Sequence, residues 1–89
     1  MMWIIKDVVH SGRKEIRYTQ VDELLDLVGC YVDFDINNIE HFKPIQMIIY
    51  NSKNKWNWLN TSQIIQVERR SDGLYELETV NVIYILEEI

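Results

Sequence analysis

The single thiol is the side chain best suited to nucleophilic chemistry, because a cysteine thiolate attacks electrophilic carbon readily. Cys30 is the only cysteine, and His10 and His41 are the only histidines that could take its proton. However, Cys30 falls on the apolar side of an alternating segment, which is typical of an inert packed thiol. Neither histidine has a partner at metal-ligand spacing, and three glycines leave little room for a phosphate loop. The sequence therefore predicts no enzyme, cofactor or metal site.

The run from Asp33 to Asn38 carries the oxygen ligands with which a calcium-binding loop begins. Such a loop needs Gly at its sixth position and Glu at its twelfth, where this chain has Asn38 and Pro44. No pair of flanking helices is predicted either. We expect no calcium site here.

An acidic segment stands between Tyr18 and Phe42. It has no Lys or Arg and holds six carboxylates: Asp22, Glu23, Asp26, Asp33, Asp35 and Glu40. The chain has 14 acidic and 9 basic residues, so this segment accounts for the whole net charge of −5. Such a surface favours a partner with a basic surface, although it also serves solubility alone. We predict that Asp22, Glu23, Asp26, Asp33 and Asp35 form one partner-binding face.

A second candidate is the aromatic and amide cluster around Trp56 and Trp58, which point to one side of any strand. The rings are candidate anchors for a protein partner, because Trp is enriched in binding hot spots. They could instead stack a nucleotide whose phosphate a lysine neutralises. The residues of that ligand-binding alternative are Lys53, Lys55, Trp56, Asn57 and Trp58. A third interpretation is that at least one of these rings only fills the core.

The elements that must position these residues are one helix and several strands. Thr19 can cap a helix over about residues 20–28, on which Val21, Leu24, Leu25 and Val28 make one apolar stripe. Gly29 suits the left-handed position that ends it. We expect this helix to dock its stripe on a sheet.

Alternating or continuous apolar runs predict strands near residues 3–9, 14–18, 30–36, 45–50, 56–59, 63–70, 74–79 and 82–87. Residues 3–18 are predicted to form a hairpin, and the last three strands an antiparallel meander with a turn at Asp72-Gly73. The predicted class is α+β: a strongly curled antiparallel sheet, or partly closed barrel, of about six or seven strands with one helix.

Length and composition predict one domain over residues 1–89. The pI of about 4.9 argues against a general binder of duplex nucleic acid. The apolar run at Trp3 is broken by Lys6 and Asp7, which excludes a membrane span there, and the lone cysteine favours a cytoplasmic protein.

The last third of the chain contains Ile64-Ile65, Val67, Asp72-Gly73, Tyr75, Leu77, Thr79, Asn81, Tyr84 and Leu86. This pattern resembles the terminal meander of small phage and prophage proteins from low-GC Gram-positive bacteria. The resemblance implies a host-takeover or anti-defence factor that works by binding, and it implies no site residues.

The leading hypothesis is therefore a small non-enzymatic protein that occupies a protein partner through its acidic face, with Trp56 or Trp58 as an anchor. The alternative is a small-ligand or nucleotide-binding module that uses the Trp56 and Trp58 segment, with a homo-oligomer interface as one candidate location. A structural subunit that pairs through an exposed edge strand is the third hypothesis.

Overall fold

The computed structural model describes residues 1–10, 27–51 and 56–89, which form one antiparallel sheet of seven strands. The strands are β1 Met2–His10, β2 Tyr31–Asp33, β3 Gln46–Tyr50, β4 Trp56–Asn60, β5 Ile64–Arg69, β6 Tyr75–Thr79 and β7 Val82–Glu88. One turn of 3-10 helix, Ile36–Asn38, separates β2 from β3. Their order across the sheet is β4-β3-β2-β1-β7-β6-β5.

The predicted α+β class is wrong, because the described residues form one sheet and contain no α-helix. Most of the predicted helix, residues 20–28, lies outside the described residues. Residues 27–29 form a turn, in which Gly29 has φ +89° and its amide donates to the Ile5 carbonyl at 2.8 Å. Val28, which the helical stripe would bury, is 42% exposed. Hydrogen bonding to β1 therefore prevails over the helical period at these positions.

Most of the predicted strands are confirmed to within two residues at each end. The strand predicted at 30–36 is shorter, since β2 covers only Tyr31–Asp33. The meander β5-β6-β7 is also confirmed, with Gly73 at φ +87° in its first turn. The predicted partner of β1, residues 14–18, lies outside the described residues. The described neighbours of β1 are β2 and β7.

The sheet is strongly curled but not closed into a barrel. Its two outermost strands, β4 and β5, are joined by only three residues, Thr61 to Gln63. In a flat sheet β4 and β5 would be about 29 Å apart, at ~4.8 Å per strand. Four residue steps span at most roughly 14 Å. The sheet must therefore bend until its edges approach one another.

Thr61 holds the corner where β4 leads into β5. The Thr61 amide donates to the Ile45 carbonyl at 3.0 Å, and the Ile45 amide donates to Thr61 Oγ1 at 3.0 Å. Beyond the corner, the Phe42 amide donates to the Ile64 carbonyl at 2.7 Å, and the Ile64 amide donates to the Lys43 carbonyl at 3.1 Å. The segment before β3 thus contacts the first residue of β5, which fixes the curl.

The core fills the inside of this curl and centres on Trp3. The Trp3 ring stacks on Phe34 with centroids 5.5 Å apart and meets the edge of Tyr75 at 5.1 Å. Trp3 Nε1 donates to the Phe34 carbonyl at 3.4 Å, so the buried indole has a polar partner. The buried core consists of Trp3, Ile5, Val32, Phe34, Met47, Ile64, Leu77, Val82, Tyr84 and Leu86. Strands from both ends of the sheet share this one core.

Candidate functional site

A set of large side chains lies on the outer face of β2, β3 and β4, which is the face turned away from the core. Trp58 is opposite Ile48 and Trp56 is opposite Tyr50. Tyr50 is in turn opposite Tyr31 on β2. The intervening residues point inward, as Val32, Met47 and Leu59 show by packing in or against the core. We call Tyr31, Ile48, Tyr50, Trp56 and Trp58 the outer aromatic patch.

The rings of this patch are open to solvent. Trp56 is 61% exposed, Trp58 48% and Tyr31 43%. The two indoles contact each other edge to face, with centroids 5.8 Å apart and planes at 86°. This perpendicular pair presents two different ring faces to the solvent. Rigid aromatic side chains of this kind supply large contact area at a low entropic cost when a partner binds.

Two predicted acidic residues lie at one margin of the outer aromatic patch. Asp33 is opposite Ile48, and its Oδ1 accepts a hydrogen bond from the Met1 amine at 3.1 Å. Continuing the β2–β3 register by two residues brings Asp35 opposite Gln46. The Oδ1 of Asp35 accepts from the Asn37 amide at 2.9 Å and so caps the 3-10 turn. The structure therefore brings Asp33, Asp35 and both tryptophans onto one face.

A shallow cleft continues this margin. Its volume is about 260 Å³, and it is lined by Phe34, Asp35, Asn38, Ile45 and Gln46. Sites for drug-sized molecules usually have volumes of ~300–1,000 Å³. The cleft is therefore better suited to one side chain of a partner, with the Asp35 carboxylate favouring a cation.

The other members of the predicted acidic face, Asp22, Glu23 and Asp26, lie outside the described residues. A continuous acidic surface across a helix and β2 therefore stays a prediction. Glu40, near the end of the acidic segment, is paired with Lys43 just beyond it, with Nζ and Oε2 2.6 Å apart. The hydrogen bond and charge of Lys43 lower the pKa of the Glu40 carboxyl. Part of the acidity is thus compensated locally.

The residues of the predicted nucleotide site are not all brought together. Lys53 and Lys55 lie outside the described residues. Asn57 pairs with Ile49 and points away from the outer aromatic patch, and its Oδ1 accepts from the Trp58 amide at 2.8 Å. The perpendicular tryptophans do not form a parallel pair that could sandwich one base. The ligand-binding alternative therefore keeps only the two exposed rings.

The residues considered for nucleophilic chemistry are separated. Cys30 is half-buried, and its carbonyl accepts from the Ile5 amide at 3.0 Å. His41 Nδ1 lies 3.1 Å from the Ile65 carbonyl beside β5. Within residues 1–10, 27–51 and 56–89, no group of three or more His, Cys, Asp or Glu side chains could hold a metal ion. No helix in those same ranges is long and apolar enough to cross a membrane.

The predicted site did not include Tyr31, Ile48 and Tyr50. Each of them alternates with an inward-pointing residue, so the sequence indicated that they lie on the outer face of their strands. Their meeting with Trp56 and Trp58 depends on the strand order and register, which a single strand does not reveal.

Comparison of the chain with protein-family models, with curated proteins and with solved structures found no match.

Proposed function

We propose that this chain is a small binding protein that acts by occupying a protein partner with a basic surface. The outer aromatic patch supplies the anchors, and Asp33 and Asp35 at its margin steer and orient the partner. The observation that carries the proposal is the joint exposure of Trp56, Trp58 and Tyr31 on one sheet face. The proposed action is binding, without a chemical step.

Exposed aromatic area supports the anchoring role. Truncating a tryptophan or tyrosine at an interface often weakens binding more than truncating other residues, by ~2 kcal/mol or more at hot spots. The core of this 89-residue chain already contains Trp3, and Trp56 and Trp58 do not contribute to it. Their exposure is therefore better explained by a partner than by the fold.

The position of the aspartates supports a basic partner. Asp33 lies on the same face as the rings, with Ile48 of β3 between it and Trp58. The cleft beyond it can receive a Lys or Arg side chain against the Asp35 carboxylate. Guanidinium groups pair well with carboxylates and also stack on aromatic faces. Electrostatic attraction across such a rim raises the association rate and weakens with salt.

Affinity capture from a lysate of a low-GC Gram-positive bacterium tests the proposal. The wild-type protein is compared with Trp56→Ala/Trp58→Ala, with Asp33→Asn/Asp35→Asn and with Phe42→Ala at low and high salt. Phe42 is the matched control, because it is 71% exposed and lies away from the patch. We expect the tryptophan variant to lose the captured protein and the Phe42 variant to keep it. The aspartate variant should retain weaker capture that responds less to salt.

Equal recovery of the same protein by the wild type and by the folded tryptophan variant would contradict the proposal. The nucleotide alternative is tested separately, by titrating tryptophan fluorescence with the common nucleoside mono- and triphosphates. Saturable quenching that Trp56→Ala abolishes would favour the alternative. An unchanged spectrum at millimolar nucleotide would remove it.

A further inference from the structure

The outer edge of β4 carries a row of backbone groups that point away from the sheet. The Thr61 amide donates across to the Ile45 carbonyl, so residue 61 faces β3. Backbone groups alternate in direction along a strand, so Leu59 and Asn57 also face β3. The amides and carbonyls of Trp56, Trp58 and Asn60 therefore face outward. No described residue forms a strand beyond this edge.

The opposite edge of the sheet, β5, is protected in two ways that the described residues do not provide for β4. Its first residue, Ile64, is bonded to Phe42 and Lys43 by main-chain hydrogen bonds. Its last part carries the charged residues Glu68 and Arg69. Main-chain cover and charge are the usual means by which proteins prevent edge strands from pairing. Strand β4 has no charge, proline or bulge.

Charge also selects the occupant of the β4 edge. The strands β3 and β4 contain no charged residue, although the chain has 23 of them and a net charge of −5. A second copy can therefore approach along β4 without bringing like charges into contact. A strongly charged segment would find no complementary charge on this strand.

We infer that two copies of this chain associate by antiparallel pairing of their β4 strands about a two-fold axis at Trp58. Only this register engages the outward groups of all three residues on both copies, with Trp58 opposite Trp58 and Trp56 opposite Asn60. The pair makes one continuous sheet of fourteen strands, and the two outer aromatic patches become neighbours on the same face. The interface is isologous and closes on itself, so it gives a dimer and not a fibre.

The Asn57 side chain competes with this pairing, and we call its hydrogen bond to the Trp58 amide the Asn57 latch. Its Oδ1 accepts a hydrogen bond from the Trp58 amide at 2.8 Å, which is the donor that the partner copy requires at the axis. Dimerisation exchanges two such local bonds for bonds between copies. The latch keeps the association weak and reversible, because each copy already satisfies its central donor.

Sedimentation velocity from about 1 μM to 1 mM protein tests the inference with four variants. Asn57→Ala removes the latch and is expected to tighten the dimer roughly tenfold, since two amides per dimer are released. Asn57→Asp keeps an acceptor there and should not tighten it. Trp58→Lys places two ammonium groups opposite each other and should give a monomer at every concentration. Gln66→Lys, a matched change on the exposed side of β5, should behave as wild type.

Hydrogen exchange and salt distinguish this dimer from other associations. Amide exchange at Trp58 and Asn60 should slow as concentration rises, whereas stacking of outer faces would leave those amides unchanged. Salt should strengthen the dimer, because it screens the repulsion between two chains of charge −5, while it weakens capture of a basic partner. A monomer for both wild type and Asn57→Ala at 1 mM, or a dimer that Trp58→Lys does not disrupt, would overturn the inference.

Discussion

The two ends of the sheet share one core but present opposite kinds of outer surface. At the β3–β4 end the outer face carries exposed aromatic rings and the strands have no charge. At the β5–β7 end the strands carry Glu68, Arg69, Glu76, Glu78, Glu87 and Glu88. The shared core is built from the inner face, and the outer face differs between the two ends.

The apolar residues of the outer face are also treated differently at the two ends. On β7, Ile83 and Ile85 are opposite Glu78 and Glu76, and Ile85 is only 7% exposed although it lies outside the core cluster. On β4, Trp56 is 61% exposed. One end thus protects its apolar groups from solvent and the other displays them. This asymmetry agrees with the proposed role of the outer aromatic patch in binding a partner, since exposed apolar patches often mark interaction sites.

The largest expected effect compares a buried with an exposed tryptophan. Trp3→Ala should lower the free energy of unfolding by about 3–5 kcal/mol, because it leaves a cavity between Phe34 and Tyr75. Trp56→Ala should change it by less than about 0.5 kcal/mol, as for other exposed positions. Urea denaturation of both variants measures this contrast. Equal losses would show that the outer aromatic patch is part of the core.

The second prediction concerns pH at the charged end. Burial raises the pKa of the Tyr84 hydroxyl from its ordinary value of 10 to about 12. The folded state therefore binds a proton that the unfolded state releases above pH 10, and stability falls as the pH rises from 10 to 12. Two pKa units correspond to a loss of about 3 kcal/mol.

Tyr84→Phe is the control for this titration, since phenylalanine has no proton to lose. Between pH 10 and pH 12, the unfolding free energy of the wild type should fall relative to that of Tyr84→Phe. A difference that stays constant over this range would show that the Tyr84 hydroxyl reaches solvent in the folded protein.

The third prediction compares two buried threonines, one near each end. Thr79 Oγ1 donates to the Val82 carbonyl at 2.6 Å and accepts from the Val82 amide at 3.0 Å, which closes the β6–β7 turn. Thr61 holds the corner after β4 through Ile45. Replacing Thr79 with Val leaves the buried Val82 amide unsatisfied, and replacing Thr61 with Val does the same to the partly buried Ile45 amide. Each change should cost about 1–3 kcal/mol, with Thr79→Val at the upper end.

Amide exchange tells the two threonine variants apart. Thr79→Val should speed exchange in β6 and β7, whereas Thr61→Val should speed it in β3 and β4 and leave the meander protected. If both variants loosen the whole sheet equally, the two ends unfold as a single unit and the comparison between them holds only for their surfaces.

The smallest expected effect is at the protected edge. The Arg69 guanidinium lies 5.9 Å from the Tyr75 ring centroid, in a partly exposed cation–π contact. Arg69→Ala should cost about 0.5 kcal/mol in thermal denaturation. Arg69→Lys should recover part of it, and a loss of several kcal/mol would mean that Arg69 has a structural role at this edge beyond the ring contact.

Local patterns predicted the strands well, because apolar and polar residues alternate along the sequence of a half-buried strand. The meander followed from Asp72-Gly73 and short connections. The α+β class failed, because the described residues form one sheet without an α-helix. Where the end of the helix was predicted, Gly29 is hydrogen-bonded to β1. That bond, from Gly29 to Ile5, joins residues 24 positions apart and leaves no local signal.

The site was predictable only in part, since Tyr31, Ile48 and Tyr50 were not among its predicted residues. The sequence indicated that Trp56 and Trp58 share a face and that Asp33 and Asp35 alternate with core residues. It could not place these two pairs side by side, because that requires β3 to lie between β2 and β4 in the observed register. It also could not identify which tryptophan fills the core.

The pairing of β1 with β7 has a consequence for how the chain acquires its structure. Ile5 of β1 lies opposite Leu86 of β7. During synthesis, β1 therefore cannot pair with β7 until β7 has left the ribosome. Contacts of such long sequence separation slow the search for the native state, to milliseconds or seconds in comparable all-β domains. Until then Trp3 has no neighbour on the β7 side of β1. During synthesis, this nascent chain depends on the order in which its strands emerge.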